Sequence, residues 1–256
     1  MAADPDLAAL SRWALVPRLL HDVIDPDAAV DLLGAMRPSP LVRRVIGAPR
    51  TAPDETLTLV DAAHVTAGHP QVVPVLAPAK MGDLMREVRR LVALDVPAVA
   101  VDLGALADVA PFGPHAWHPR TREDLAELAA AAGRPVWLLG VASADDATVA
   151  AEAGLDAIVV DGAVGRHMGG LATADVLPEV VDAVAGMLRV LAGGTVAGGL
   201  DVLRLIALGA DAVIVGGERP TAAIEEELRY AMRLTGCATL ADVGYDALFE
   251  PLFAEP

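Results

Sequence analysis

From about residue 42 onward the chain alternates short apolar runs with amphipathic stretches. The runs are rich in Val, Ile, Leu and Ala and predict strands over 42–48, 71–76, 98–102, 136–141, 157–160, 189–192 and 212–215. Most are apolar at nearly every position, the pattern of parallel strands covered on both faces. Between them Ala, Leu, Glu and Arg recur at helical spacing and predict helices over 83–94, 122–132, 144–153, 177–187, 199–208 and 222–234. Gly, Pro and Asp turns separate the two kinds of segment.

Such alternation means an α/β fold. No linker or shift in composition divides the chain, so 1–256 is expected to form one domain with a short N-terminal segment, 1–41. A (β/α)8 TIM barrel takes about 250 residues and carries its chemistry on the loops that follow the strands. Those loops are 161–170, 193–199 and 216–220. Seven strands leave a barrel one short, so the expectation is a TIM-barrel-like (β/α)8 fold that is incomplete. The rival, a doubly wound open sheet, lacks a G-x-G-x-x-G after its first strand.

Composition narrows the partners. The formal charge is -16, which argues against a nucleic-acid backbone or an anionic membrane, since both require clustered Lys and Arg. A small anionic ligand must therefore be held by local groups. With 3 Phe, 2 Tyr and 3 Trp, stacking platforms for flat ligands are scarce. No apolar stretch reaches the roughly 20 residues of a membrane span without a charge, Gly or Pro. The acidic start MAADPDLAAL has no secretory apolar region, so a cytoplasmic protein is expected. The single cysteine, Cys237, excludes an intrachain disulfide and a thiolate metal cluster, and reads as a small buried hydrophobe.

Candidate chemistry gathers after the strands. Gly193-Gly194 and Gly216-Gly217 each end an apolar run, where glycines let backbone N–H groups approach a phosphate; they also serve as plain tight turns. Arg166 and His167 follow the 157–160 run, where an arginine clamps a carboxylate and a histidine moves protons near neutral pH, unless both are simply solvated. His115 with His118, and His64 with His69, are spaced like metal-ligand pairs but lack a third ligand at metal-site spacing. Lys80 follows the 71–76 run and would be a nucleophile only if buried.

These segments also carry a resemblance. "GRPVWLLGVASADDATVAAEAGLDAIVVDGAVGRHMGGLATADVLPEVVDAV", "GGLDVLRLIALGADAVIVGGERP" and "ELRYAMRLTGCATLADV" resemble the FMN-dependent 2-hydroxy acid dehydrogenase and oxidase family, the group of glycolate and lactate oxidases. "RWALVPRLLHDV" is similar to its N-terminal segment, and "VIGAP" followed by "PDETLTLVDAAHVTAG" to its first strand and helix. The resemblance implies a barrel of the FMN-binding type, FMN as cofactor, and a homo-oligomer or pairing with a related chain.

It also implies losses. The family's flavin-side lysine in "LKG" corresponds to Leu139. Its catalytic histidine in "SNHGGR" corresponds to Ala163, while the carboxylate-gripping arginine corresponds to Arg166. In the phosphate loop Gly193 replaces an aspartate and Ala197 an arginine, and a second phosphate arginine corresponds to Gly217, with Arg219 nearby as a substitute. The family's third strand has no evident counterpart, the loop after the fourth is short, and the segment bearing a substrate tyrosine is absent. A positioned general base is worth about 10²–10⁴ in rate. The substitutions therefore imply that flavin oxidation chemistry has been lost. What remains would be a flavin-free enzyme acting on a small acidic substrate, or a pseudoenzyme. The alternatives are an FMN-dependent oxidoreductase with Arg166 and His167 in a rebuilt site, and a structural or regulatory partner of a full-length relative.

Overall fold

The computed structural model describes residues 4–47, 55–104, 120–162 and 171–249. The chain starts with helix α1 (Pro5–Ser11), strand β1 (Ala14–Leu15) and a hairpin of β2 (Val30–Leu32) and β3 (Ala35–Arg37). The barrel strands follow: β4 (Leu41–Val45), β5 (Thr58–Asp61), β6 (Val72–Leu76), β7 (Val99–Asp102), β8 (Val136–Val141), β9 (Ala157–Val160), β10 (Arg189–Ala192) and β11 (Ala212–Val215). Helices α2 (Met81–Val92), α3 (Arg122–Ala132), α4 (Ala144–Glu152), α5 (Thr173–Val184), α6 (Gly199–Ala207) and α7 (Thr221–Thr235) pack outside, and β12 (Leu248–Phe249) pairs with β1.

The eight strands β4 to β11 are all parallel to their neighbours and close on themselves, with β11 pairing β4. This corrects the expected incompleteness and the count of seven. The eighth strand lies in "TLTLVDAA", which the resemblance had aligned with a helix. Leu57 and Leu59 point to the barrel interior while Val60 joins the helix-facing core, so the segment has the period of two that a strand requires. With Thr58–Asp61 as the second barrel strand, Val72–Leu76 becomes the third, and none is missing. A short 3-10 turn, Ala62–His64, follows β5 where a longer helix would be expected in a regular barrel.

The interior is filled by Val42, Leu59, Val73, Val75, Ala98, Ala100, Trp137, Leu139, Ala157, Val159, Leu191 and Ala212. Leu32 and Val30 of the hairpin join this cluster and close the end at which the strands begin. The opposite end, where barrels place their chemistry, is left for the loops. Helix α5 begins at Thr173, four residues before the predicted start. The Thr173 N–H at its start is met by the carboxylate of Asp6, a cap from 167 residues away that no local pattern reveals. Among the described residues no helix is long and apolar enough to cross a membrane.

Candidate functional site at the barrel mouth

Three of the apolar runs end in aspartate: Asp61 on β5, Asp102 on β7 and Asp161 just after β9. Each lies two residues beyond an inward side chain, Leu59, Ala100 and Val159, so alternation turns all three toward the mouth. Arg44 stands in the same way two residues beyond Val42. Its guanidinium donates to Asp61 at 2.7 Å and lies 3.8 Å from Asp102. Asp61 also accepts from the Gly47 N–H at 2.8 Å. Burial alone raises the Asp61 carboxyl, but the Gly47 N–H, Arg44 and the nearby His64 outweigh it and hold the group below its ordinary value. Asp61 is therefore a carboxylate at neutral pH.

A cavity of about 450 Å³ opens beside this cluster, between the ends of β5, β6 and β7 and the first turns of α2. Sequence reasoning did not nominate Arg44, Asp61 or Asp102. The available signal was a Val-Asp pair closing each of three strands, at the end where a barrel displays functional residues.

Of the nominated residues, Arg166 and His167 lie outside the described residues, as do Ala163, His115 and His118. Leu139 faces the interior with 6% exposure and is the register partner of Asp102, so the position matching the flavin-side lysine is an apolar side chain in the barrel core. Gly140 beside it has φ +85°, and a Cβ there would lie 2.3 Å from the Gly104 N. The two strand ends meet through glycine because nothing larger fits. Lys80 is exposed at the start of α2 and His69 accepts from the Gln71 N–H. Cys237 is buried, as its bland interpretation requires. Among the described residues no three His, Cys, Asp or Glu side chains group to hold a metal.

The loop of Gly193 and Gly194 is the most informative. Its amides take carboxylates from the chain itself. Thr195 N–H donates to Asp6 at 3.0 Å, Ala197 N–H to Asp201 at 3.0 Å, and Gly199 N–H, at the start of α6, to Glu227 of α7 at 2.9 Å. Asp6 is 2% exposed, and its carboxylate lies so close to Gly194 that a Cβ there would be 2.7 Å away. Arg219 pairs with Glu227 and also donates to the Ala197 carbonyl. Hydrogen bonding from Arg219, with Gly199 N–H second, lowers the Glu227 carboxyl. Gly216 and Gly217, by contrast, border open space, and Gly217 is needed for its φ of +82°. The structure thus joins Gly193, Gly194 and Arg219 in one region of the mouth, with carboxylates at its centre.

The mouth also places the chain among known proteins. The family model described as FMN-dependent dehydrogenase matches residues 104–250. An L-lactate dehydrogenase of Stenotrophomonas maltophilia (strain R551-3) is 42% identical over 129 residues, 44% of this chain and 34% of that protein. The match therefore spans about a third of the length of such curated relatives. A mandelate oxidase variant with a monooxide FMN adduct superposes with a TM-score of 0.76 at 25% identity, over 96% of this chain and 90% of the other. A flavocytochrome b2 variant reaches a TM-score of 0.81 at 20% identity, over 99% and 81% of the two chains, a likeness of fold alone. Closed barrel, loop positions and a family match over more than half of the chain agree, and this chain belongs to the FMN-dependent dehydrogenase family.

Proposed function

We propose that this chain is a flavin-free member of its family, one that keeps the barrel and its open mouth for a small ligand but does not oxidise 2-hydroxy acids through FMN. The observation that carries this reading is the occupation of the 193–199 loop by Asp6, Asp201 and Glu227. By resemblance this loop would cradle the FMN phosphate. A phosphate needs donors; here the donors already hold anions, and an added anion would be repelled. Two like charges 4 Å apart near a protein surface repel by about 4 kcal/mol. Arg219, the candidate substitute for the lost phosphate arginine, is neutralised by Glu227.

The residues present do not fit the flavin in other respects. Leu139 offers no positive charge where a reduced flavin would need one. Arg44, which points into the mouth, is engaged with Asp61. Ala163 stands where the family has its base, and a missing general base alone removes about 10²–10⁴ in rate. Outside the described residues, Arg166 and His167 are the side chains proposed to touch a ligand.

The test is direct. The purified chain is incubated with excess FMN, desalted, and its visible absorption recorded before and after addition of L-lactate. A colourless protein is the expected result. A yellow protein with one flavin per chain that is bleached by L-lactate would overturn the proposal.

A further inference from the structure

Single apolar side chains in solvent are ordinary, but a contiguous patch above about 300–600 Å² is uncommon on a monomer. Among the described residues, seven of the twelve exposed large apolar side chains gather in one region. Leu19, Leu20 and Ile24 belong to the segment between β1 and β2, and Leu20 is fully exposed. That segment is fixed to the end of α7. The Arg18 N–H donates to the Leu234 carbonyl at 2.8 Å, and the His21 ring lies so close to Gly236 that a Cβ there would meet it at 2.9 Å. The Arg18 side chain reaches Asp246 at 2.7 Å, beside the exposed Tyr245. The Val16 N–H donates to the Ala247 carbonyl at 2.9 Å, next to β12, which ends in the exposed Phe249. On α7 itself Tyr230 and Leu234 stand one turn apart on the outer face.

Area and charge say what covers this surface. A large aromatic side chain buries about 150–250 Å² in full. Seven large side chains, each exposed by a third or more, therefore come near the roughly 800 Å² that a standard interface buries on each partner. Two of the nearby arginines are matched within the chain, Arg18 by Asp246 and Arg229 by Glu225. The outer face of α7 then carries Glu226, Tyr230, Arg233 and Leu234, all exposed. Glu226 and Arg233 are about 10 Å apart along the helix axis, too far to pair with each other. Turned about a two-fold axis near Tyr230, however, the face complements itself, because the two charges lie at nearly equal distances on either side. A surface that matches its own copy is the property of a two-fold contact. The chain carries -16, so two copies repel at a distance, and only local matching of this kind brings them together.

We propose that this surface joins two copies of the chain about a two-fold axis. The α7 helices run antiparallel, Tyr230 packs against its counterpart, Glu226 of each copy faces Arg233 of the other, and the 16–24 segment extends the contact beside Leu234. Helix α7 follows β11 and runs back along the outside of the barrel, so the contact lies on the flank and not across the ends of the strands. The inference is independent of whether flavin binds.

Sedimentation equilibrium of the chain across micromolar concentrations tests it. Wild type should sediment at twice the chain mass. Leu20→Asp and Glu226→Arg should each raise the dissociation constant of the dimer about tenfold or more, the second because it sets arginine against Arg233 in both halves of the contact. The double variant Glu226→Arg, Arg233→Glu reverses the pair and should restore the dimer. Met187→Asp, at an exposed apolar position on the turn between α5 and β10, should leave it unchanged. All four substituted positions are exposed, and circular dichroism checks that each variant is folded. A chain that is monomeric throughout, a dimer untouched by Leu20→Asp and Glu226→Arg, or one weakened as much by Met187→Asp would overturn the proposal. So would a double variant that stays monomeric, since two-fold pairing requires the rescue. A monomer that pairs only when residues 250–256 are removed would assign the surface to the chain's own tail and overturn it as well.

Discussion

Replacing Glu227 by alanine removes the carboxylate that holds the start of α6 and neutralises Arg219. The Gly199 N–H loses its acceptor, at 2.9 Å in the native chain, and Arg219 loses its ion-pair partner. A hydrogen bond to a charged group is worth about 1.5–3 kcal/mol, and since 38% of the Glu227 side chain is exposed, water recovers part of it, leaving a loss of about 1–2 kcal/mol. For a chain of this size that lowers the melting temperature by about 2–8 °C. Glu227→Gln keeps an acceptor for Gly199 but gives up the charge at the helix N-terminus, a smaller loss of about 0.3–1 kcal/mol. The pH dependence has a definite sign. The folded Glu227 carboxyl lies below the ordinary 4.5 because of Arg219 and the Gly199 N–H, so its stabilisation is complete above 4.5 and fades as pH falls through the lower folded value. Wild type and Glu227→Gln should therefore converge in acid. Alanine should also reopen the cradle: inorganic phosphate at about 100 times its dissociation constant would stabilise the variant by about 2.7 kcal/mol, with little effect on wild type. Thermal melts across pH, with and without phosphate, measure all of this. An alanine variant as stable as wild type, or a wild type stabilised equally by phosphate, would refute the view that Glu227 occupies an anion site.

Further outcomes follow from single contacts. Asp6→Ala strips a buried carboxylate from two amides, Thr173 and Thr195, and should cost about 2–4 kcal/mol in urea denaturation. Leu139→Lys places an ammonium in the barrel interior beside Asp102; it should destabilise the fold and, because the 193–199 loop is unchanged, leave FMN unbound after desalting. Gly140→Ala must relieve a 2.3 Å approach to Gly104 at positive φ, so a loss of at least about 1–3 kcal/mol is expected in the same denaturation assay. Arg44→Leu leaves Asp61 without its cation in a partly buried site, and should raise the Asp61 titration midpoint observed by carboxyl NMR.

Much of the barrel was legible because parallel strands buried on both faces leave continuous apolar runs. Val136–Val141, Ala157–Val160, Arg189–Ala192 and Ala212–Val215 fall at the predicted bounds. The strand that escaped, Thr58–Asp61, is the one whose run is broken by threonines and followed by a 3-10 turn instead of a long helix. Without the helix that usually marks the end of a βα unit, "TLTLVDAAHVTAG" has apolar positions compatible with either period, and the resemblance tipped it to the wrong one. Closure supplied the missing information. Thr58–Asp61 pairs with β4 on one side and β6 on the other, a constraint from two distant segments that its own residues do not express.

The site was legible in a different and more partial way. Substitutions such as Leu139 and Ala163 can be read by position, so the loss of the family's residues there was visible from sequence. What takes their place was not, because the replacing groups come from elsewhere in the chain. Thr195 is held by a residue 189 positions away and Gly199 by one 28 positions away, and no local spacing joins Glu227 to a loop before α6. The strand-end aspartates are the exception. Parity alone places Asp102 on the same side as Ala98 and Ala100, and the end of a barrel strand is where a polar side chain among apolar ones needs a reason. Arg44 at the equivalent depth on β4 meets Asp61 and lies near Asp102, so two of those strand ends form a paired, charged rim beside the carboxylate-filled 193–199 loop, which is where the mouth departs from an anion-binding design.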